Sequence, residues 1–309
     1  MLSSIRAFFA RAAELIGHAI GRVLAVLAWP FLALGRWLGG RSWMVKAPFA
    51  LAGLLLVGLY GYFLWNTQVW SNFDPDYPAR YAFAQTPTPA GTSPVPNAAQ
   101  PAAPATTPVV GAEGVEGEVR ICVRSGIVDT TADLIDFNVN QNAWVSSNIL
   151  YKVGLFGLDW DRTPYLDNKA AFQRGVNQAI RRTTVELVDA LGRVRGTSQI
   201  DNNLQDARGN MQFDEYTWYF GLSPFGPKTP TPSYYRAAMG DLRAFNDRMQ
   251  SCAMQFDARG DNLLQFVERI ASDLGSTSAI LRERSENHNG GWFDTRADDR
   301  YWFAFGQLY

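Results

Sequence analysis

The chain has 309 residues, with 28 basic and 29 acidic side chains, two histidines and two cysteines. Near-neutral charge argues against nucleic acid as a partner, because phosphate binding needs a concentrated basic surface. Two cysteines exclude a disulfide scaffold, and the absence of His-x-x-His and Cys-x-x-Cys spacings points to no metal and no cofactor.

The charge is unevenly spread: residues 1–46 carry six positive charges against one negative, and the remainder 22 against 28. Residues 1–42 read as an amphipathic segment on the cytoplasmic membrane surface. Arg11, Glu14, His18 and Arg22 recur every three or four positions as one polar stripe, with Ile5, Phe8, Phe9, Ala12, Leu15, Ile16 and Ala19 on the rest of the helix. Such a helix lies in the lipid interface with its arginines beside anionic headgroups. Val23 to Gly35 has thirteen residues and contains Pro30, too short to cross. A second, poorly inserted span is the alternative.

Residues 43–66 read as a transmembrane helix. Ala47 to Trp65 runs nineteen residues without a charge. At about 1.5 Å per residue that is roughly 28 Å, close to the ~30 Å hydrocarbon core. Trp43 and Trp65 bracket the run at headgroup level, Pro48 falls in the first turn, and Lys46 can extend back to the interface. A buried core helix is the alternative. Arg36, Arg41 and Lys46 precede the span and Asp74 and Asp76 follow it, so the positive-inside rule places the N-terminus in the cytoplasm and the long C-terminal part in the periplasm of a Gram-negative bacterium. Ala82-Phe83-Ala84 has the small residues of a cleavage site but lies too far beyond the apolar run, so the anchor is expected to remain.

Residues 67–118 read as an aromatic juxtamembrane stretch followed by a Pro/Ala/Thr-rich linker. Seven prolines between Thr86 and Val110 remove backbone donors and fix φ, which predicts a polyproline-like spacer. The remaining residues, 119–309, suffice for one compact, mainly α-helical periplasmic domain with at most a short strand. That strand is placed at Val119, Ile121 and Val123. Helices are predicted over Thr131–Asn142, over Asp167–Leu191 with Gly192 as the stop, and after Pro232 with Ser233 as N-cap. Two more cover Asn262–Leu274, ended by Gly275, and Thr277–Arg284, and a last one follows Thr295, whose spacing to Asp298 suits a capping box. Tyr235, Ala238, Leu242, Phe245, Met249, Cys252 and Phe256 form the cleanest apolar stripe.

Chemistry is sparse. There is no glycine-rich phosphate loop and no Gly-x-Ser-x-Gly elbow. His288, in Glu286-Asn287-His288-Asn289-Gly290-Gly291, reads as a solvated loop residue rather than a triad member. Carboxylate pairs occur at Asp159/Asp161, Asp214-Glu215 and Asp298-Asp299, and adjacency alone assigns none of them a reaction. Asp159-Trp160-Asp161 and Phe213-Asp214-Glu215-Tyr216-Thr217-Trp218 mix acids with aromatics as sugar-binding surfaces do, and aromatic packing accounts for them equally well. Arg181-Arg182 with Arg193 and Arg195 forms the densest basic region, suited to a helix C-terminus or, secondarily, an anionic ligand. Cys122 and Cys252 fit either a disulfide or free thiols. No catalytic, cofactor-binding or metal residue is assigned.

Val139-Asn140-Gln141-Asn142 with Trp144, Leu166-Asp167-Asn168 with Phe172-Gln173-Arg174-Gly175, and Gly192-Arg193-Val194-Arg195-Gly196-Thr197-Ser198 are joined by Asp261-Asn262-Leu263-Leu264, Arg269 to Gly275 and Asp294 to Asp299. On these stretches, residues 127–309 resemble a family of Gram-negative inner-membrane proteins known only as a domain of unknown function. The resemblance implies a bitopic protein with a short N-terminal span, and a chain that stops slightly early at Phe305 to Tyr309. It implies no activity. The reading is a non-enzymatic envelope protein anchored in the lipid bilayer, whose periplasmic domain docks on an envelope protein. The alternatives are an envelope enzyme or peptidoglycan-binding module using acids near Trp160 or Trp292, and a periplasmic small-ligand sensor.

Overall fold

The structure is a computed structural model that describes residues 17, 21–22, 25, 28–30, 32–33, 35–74, 76, 124–154, 160, 163, 166–192, 200–251, 253, 260–286 and 297–309. Most of the surface helix expected over residues 1–22 lies outside the described residues. So do the Pro-rich tract, the strand expected at residues 119–123, and both cysteines.

The chain divides into two compact units, 1–61 and 62–309. In the first, the turn before the apolar run is held by Lys46 Nζ, which donates to Gly39 O at 3.1 Å, and by the Arg41 guanidinium, 5.1 Å from the Trp37 ring. Helix α1, Trp43–Gln68, is 26 residues long with a mean hydropathy of 1.8, long and apolar enough to cross a membrane. At about 1.5 Å per residue it reaches roughly 39 Å. Leu51, Leu54, Leu55 and Val57 are all exposed. Only Phe63 and Thr67, both in its last two turns, are buried.

The second unit is a helical domain carrying one two-stranded sheet. Its elements are α2 (Gly126–Asp136), α3 (Ile149–Val153), α4 (Asn168–Glu186), α5 (Asn202–Met211), strands β1 (Phe220–Leu222) and β2 (Phe225–Pro227), α6 (Thr231–Gln250), α7 (Gly260–Glu286) and α8 (Ala297–Leu308). Helices α2 and α4 each end in a π-helical turn, at Phe137–Gln141 and Leu187–Leu191.

Helix α4 is the axis of the domain. Phe172, Val176 and Ile180 carry its apolar stripe into the core, where they meet Val128, Ala132 and Ile135 of α2 and Leu204 and Met211 of α5. Helix α6 supplies Tyr235, Ala238, Leu242, Phe245 and Met249, all at most 1 % exposed, so its stripe is core as its periodicity predicts. Helix α8 runs parallel to α4: Asn168 sits beside Asp298 and Trp302, and Gly175 beside Phe303 and Gln307. The two backbones touch. A Cβ on Gly175 would lie 2.0 Å from Phe303 O, and one on Gly306 would lie 2.1 Å from Phe172 O.

Several expected boundaries move. Helix α2 begins five residues before Thr131, because Ser125 is locked to α6 by paired bonds with Asn246, Ser125 N to Oδ1 at 2.6 Å and Nδ2 to Ser125 O at 3.1 Å. Ser233 lies inside α6, whose N-cap position is Pro230. Gly275 does not end a helix: α7 runs through it in open space, and the two predicted helices are one. Gly192 does end the helical run, though at φ −81°. Glycine is required there because a Cβ would lie 2.6 Å from Leu187 O and 2.8 Å from Leu204.

Candidate functional site

The most elaborate local chemistry of the domain surrounds the end of α1. The helix finishes as part of the domain rather than as a lead into a spacer. Phe63 is fully buried with its ring 4.9 Å from that of Trp160, whose Nε1 donates to Leu150 O at 2.6 Å. The chain then lies along α4 and α8. Trp70 packs 5.0 Å from Phe172 and 5.6 Å from Trp302, and Phe73 stacks on Tyr309 at 5.2 Å. Ser71 N donates to Asn142 Oδ1 at 3.0 Å while Asn142 Nδ2 returns a bond to Ser71 O at 2.9 Å. Asn72 Nδ2 donates to Gln141 Oε1, and Asp74 N to the Tyr309 hydroxyl. Residues 67–74, expected to open the linker, therefore belong to the folded domain. The reason is aromatic: leaving Trp70 and Phe73 in water would forfeit a burial of roughly 1.5–3 kcal/mol apiece.

Lys169, on the first turn of α4, seals this junction. It is 2 % exposed, and its Nζ donates to Val69 O at 2.6 Å. The last turn of α1 has no basic residue of its own, so its unsatisfied carbonyl end receives a cation from another helix. Burial lowers the Lys169 ammonium to about 8.

Beside it lies a carboxyl pair. Asp167 occupies the N-cap position of α4 but makes no capping bond. It is fully buried and hydrogen-bonds with Asp299 on the first turn of α8. Two carboxylates form such a bond only when one holds a proton. Burial first, then the Asp299 charge and that shared bond, raise Asp167 to about 8. Asn168, in the amide orientation its neighbours require, donates to Asp298 Oδ2 at 2.9 Å and accepts from Trp302 Nε1 at 3.0 Å. Asp167 and Lys169 thus lie buried two residues apart where α1, α4 and α8 meet. Among the described residues no group of three or more His, Cys, Asp or Glu side chains is arranged to hold a metal ion.

The stretches Val139–Asn142, Leu166–Gly175 and Asp298-Asp299 all supply residues to this junction. A family described as an uncharacterized protein conserved in bacteria (DUF2333) matches residues 133–295. The chain belongs to the DUF2333 family. No curated protein and no solved structure matches it.

The other residues singled out in the sequence of this DUF2333 protein have separate uses. Asp298 and Asp299 do act together, with Asp167 as a third carboxyl that nothing in the local sequence announces. Asp214 and Glu215 do not act together. Asp214 Oδ2 accepts from Tyr216 N and Thr217 Oγ1 in a turn, whereas Glu215 pairs with Arg181 at 2.8 Å and accepts from Asn177 Nδ2. Arg181 also donates to Met211 O, Phe213 O and the Tyr235 hydroxyl. Arg182 grips Asp273 of α7 through two bonds of 2.6 and 2.7 Å, on the wall of a cavity of about 70 Å³. Both arginines already have carboxylate partners, which removes them as a ready anion site. Trp160 is 2 % exposed and offers no platform to a sugar. Asp159, Asp161, Arg193, Arg195, His288, Trp292 and Thr295 lie outside the described residues.

Proposed function

We propose that this DUF2333 protein is a single-pass protein of the bacterial inner membrane whose periplasmic helical domain works as a non-enzymatic binding or structural module. One observation carries the reading: the apolar helix does not stop short of the domain but ends inside it, with Phe63 buried against Trp160, Thr67 buried, and Trp70 and Phe73 just beyond packed on α4 and α8. The basic residues before the span and the acidic ones after it support a cytoplasmic N-terminus.

A partner protein is supported by α7. Of its 27 residues only Phe266 is buried, and Leu263, Leu264 and Val267 stand 38–59 % exposed. These side chains are apolar surface that the domain itself leaves uncovered.

Two measurements test the proposal. A reporter active only in the periplasm should work when fused after Pro108 and fail when fused after Arg41; the reverse would overturn the topology. The purified full chain in lipid nanodiscs should release no fragments from peptidoglycan, and released fragments would overturn the non-enzymatic reading.

A further inference from the structure

Helix α7 is tied to the domain along one side. Phe266 is buried and Ile270 packs against the core. Arg182 grips Asp273, and Thr277 Oγ1 donates to Gln307 Oε1 at 2.6 Å. Phe266, Ile270, Asp273 and Thr277 follow one another at steps of four, three and four, so they share the inner side.

A second row runs along the flank: Leu264, Val267, Ala271, Leu274, Ser278 and Leu281. Its steps alternate three and four, the spacing of a coiled-coil seam. The row is open. Leu264 is 58 % and Val267 59 % exposed, Ala271 and Ser278 are exposed, and Leu274 and Leu281 are partly buried. The charges that border it are sorted by sign. Asp261 and Glu268 take the flanking positions in its first half, and Arg282 and Arg284 take them at its end. Glu283 and Glu286 fall on heptad positions that face away from the seam. Arg282 holds Glu286 only in an exposed pair, 80 % and 60 % open to water, which is worth little.

A second copy of this helix, laid antiparallel, completes both patterns. Leu264 then meets Leu281 of the copy, Ala271 meets Leu274 and Val267 meets Ser278, each pair occurring twice about the two-fold axis. Asp261 comes beside Arg282 of the copy at both ends. A parallel pair would instead crowd Arg282 and Arg284 of both copies together. So short a seam makes a small interface, of the class that holds where partners are already concentrated. Two chains anchored in one bilayer meet that condition.

We infer that α7 pairs antiparallel with α7 of a second copy of this chain, along the row from Leu264 to Leu281. This pairing rests on the reading that the uncovered face of α7 receives a protein, and commits it to a second copy.

The test uses the full chain, with Cys122→Ser and Cys252→Ser, in vesicles of phosphatidylethanolamine and phosphatidylglycerol. Leu264→Cys combined with Leu281→Cys should be cross-linked between copies by mild oxidation. Within one chain the two positions are 17 residues apart, about 26 Å along the helix, and cannot bridge. Either cysteine alone, and Gln205→Cys on exposed α5, should give no dimer. Added to the cysteine pair, Asp261→Arg should cut the dimer yield severalfold, and Arg282→Asp in the same chain should restore it. The thermal midpoint should not move with either charge reversal, because both side chains are exposed.

A dimer formed by Leu264→Cys alone would make the helices parallel and overturn the pairing, as would a yield indifferent to both charge reversals. No dimer from the cysteine pair would overturn it too, and maleimide labelling of Leu264→Cys in cell envelopes then separates the causes. Labelling slower than in the vesicles would give the face to a different protein and keep the partner reading. Labelling as fast as that of Gln205→Cys would sink both.

Discussion

The crossing of α4 and α8 makes one substitution diagnostic. In Gly175→Ala the new methyl would lie 2.0 Å from Phe303 O and 2.9 Å from its carbonyl carbon. A carbon–oxygen contact settles at about 3.3–3.6 Å, so the helices must separate by more than about 1 Å. The obstacle is backbone and cannot rotate away, and separation would strain the Asn168–Asp298 bond and the packing of Trp302 and Phe305 on Phe172 and Trp70. Overpacking of this kind costs about 1–3 kcal/mol, and a fixed carbonyl belongs at the upper end. Alanine recovers up to about 1 kcal/mol of helix propensity. The net loss is about 2 kcal/mol, or a fall in thermal midpoint of roughly 4–8 °C for a domain of this size.

Gly209→Ala on α5 and Gly240→Ala on α6 are the controls, since nothing lies within 4 Å of a Cβ at either position. These should gain about 0.5–1 kcal/mol and raise the midpoint by roughly 1–4 °C. The assay is thermal unfolding of the full chain in detergent micelles, followed by near-ultraviolet circular dichroism, which reads the aromatic cluster. If Gly175→Ala unfolds at or above the wild-type temperature, α4 and α8 do not touch as described.

The junction makes two further predictions. Asp167 is raised from 3.8 to about 8, so the native state retains a proton that the unfolded chain releases, and its contribution to stability is full below about pH 4 and lost as pH rises through about 8. Asp167→Asn should therefore gain on wild type in thermal midpoint between pH 5 and 9. Lys169, lowered to about 8, acts oppositely, losing its contribution as pH falls through that value, but it is common to both proteins and cancels from the comparison. A constant difference across that range would mean that Asp167 is not raised. Trp70→Ala should cost about 2–3 kcal/mol, slightly under the usual figure for a core tryptophan because Trp70 is half-buried, and should expose residues 69–74 to limited proteolysis. An unchanged digestion pattern would return this stretch to the linker.

The sequence shows its helices where an apolar stripe repeats over several turns, and loses them where tertiary contact decides. Helix α6 and the long run from Asn168 through Leu191 were legible because Leu242, Phe245, Val176 and Ile180 recur at helical spacing. Helix α5 was not, since Leu204, Ala207 and Met211 are a thin stripe among polar residues, although Asp201 caps it by accepting from Asn203 N and Leu204 N. Gly275 looked like a stop and proved to be a passenger in α7, whereas Gly175, inside the predicted helix, proved to be the point where two backbones meet. The hairpin had a usable signal in Phe220-Gly221-Leu222-Ser223-Pro224-Phe225-Gly226, a pair of strand-prone runs with glycines about a turn. Asp298 and Asp299 could be seen as a pair, but their third carboxyl lies more than a hundred residues earlier, beyond the reach of any local pattern.

Residues 69–74 and Arg124 are fastened to the same folded body, the former through Lys169, Asn142 and Tyr309, the latter through Asp129 and Asp247. Both ends of the stretch between them are therefore held on one folded unit. A single cut between them would divide the polypeptide yet leave the two pieces joined through Trp70, Phe73 and the bonds of residues 69–74. Separating the folded unit from the apolar helix requires scission of α1 itself, near Phe63 or Thr67, where the backbone is helical and both side chains are buried.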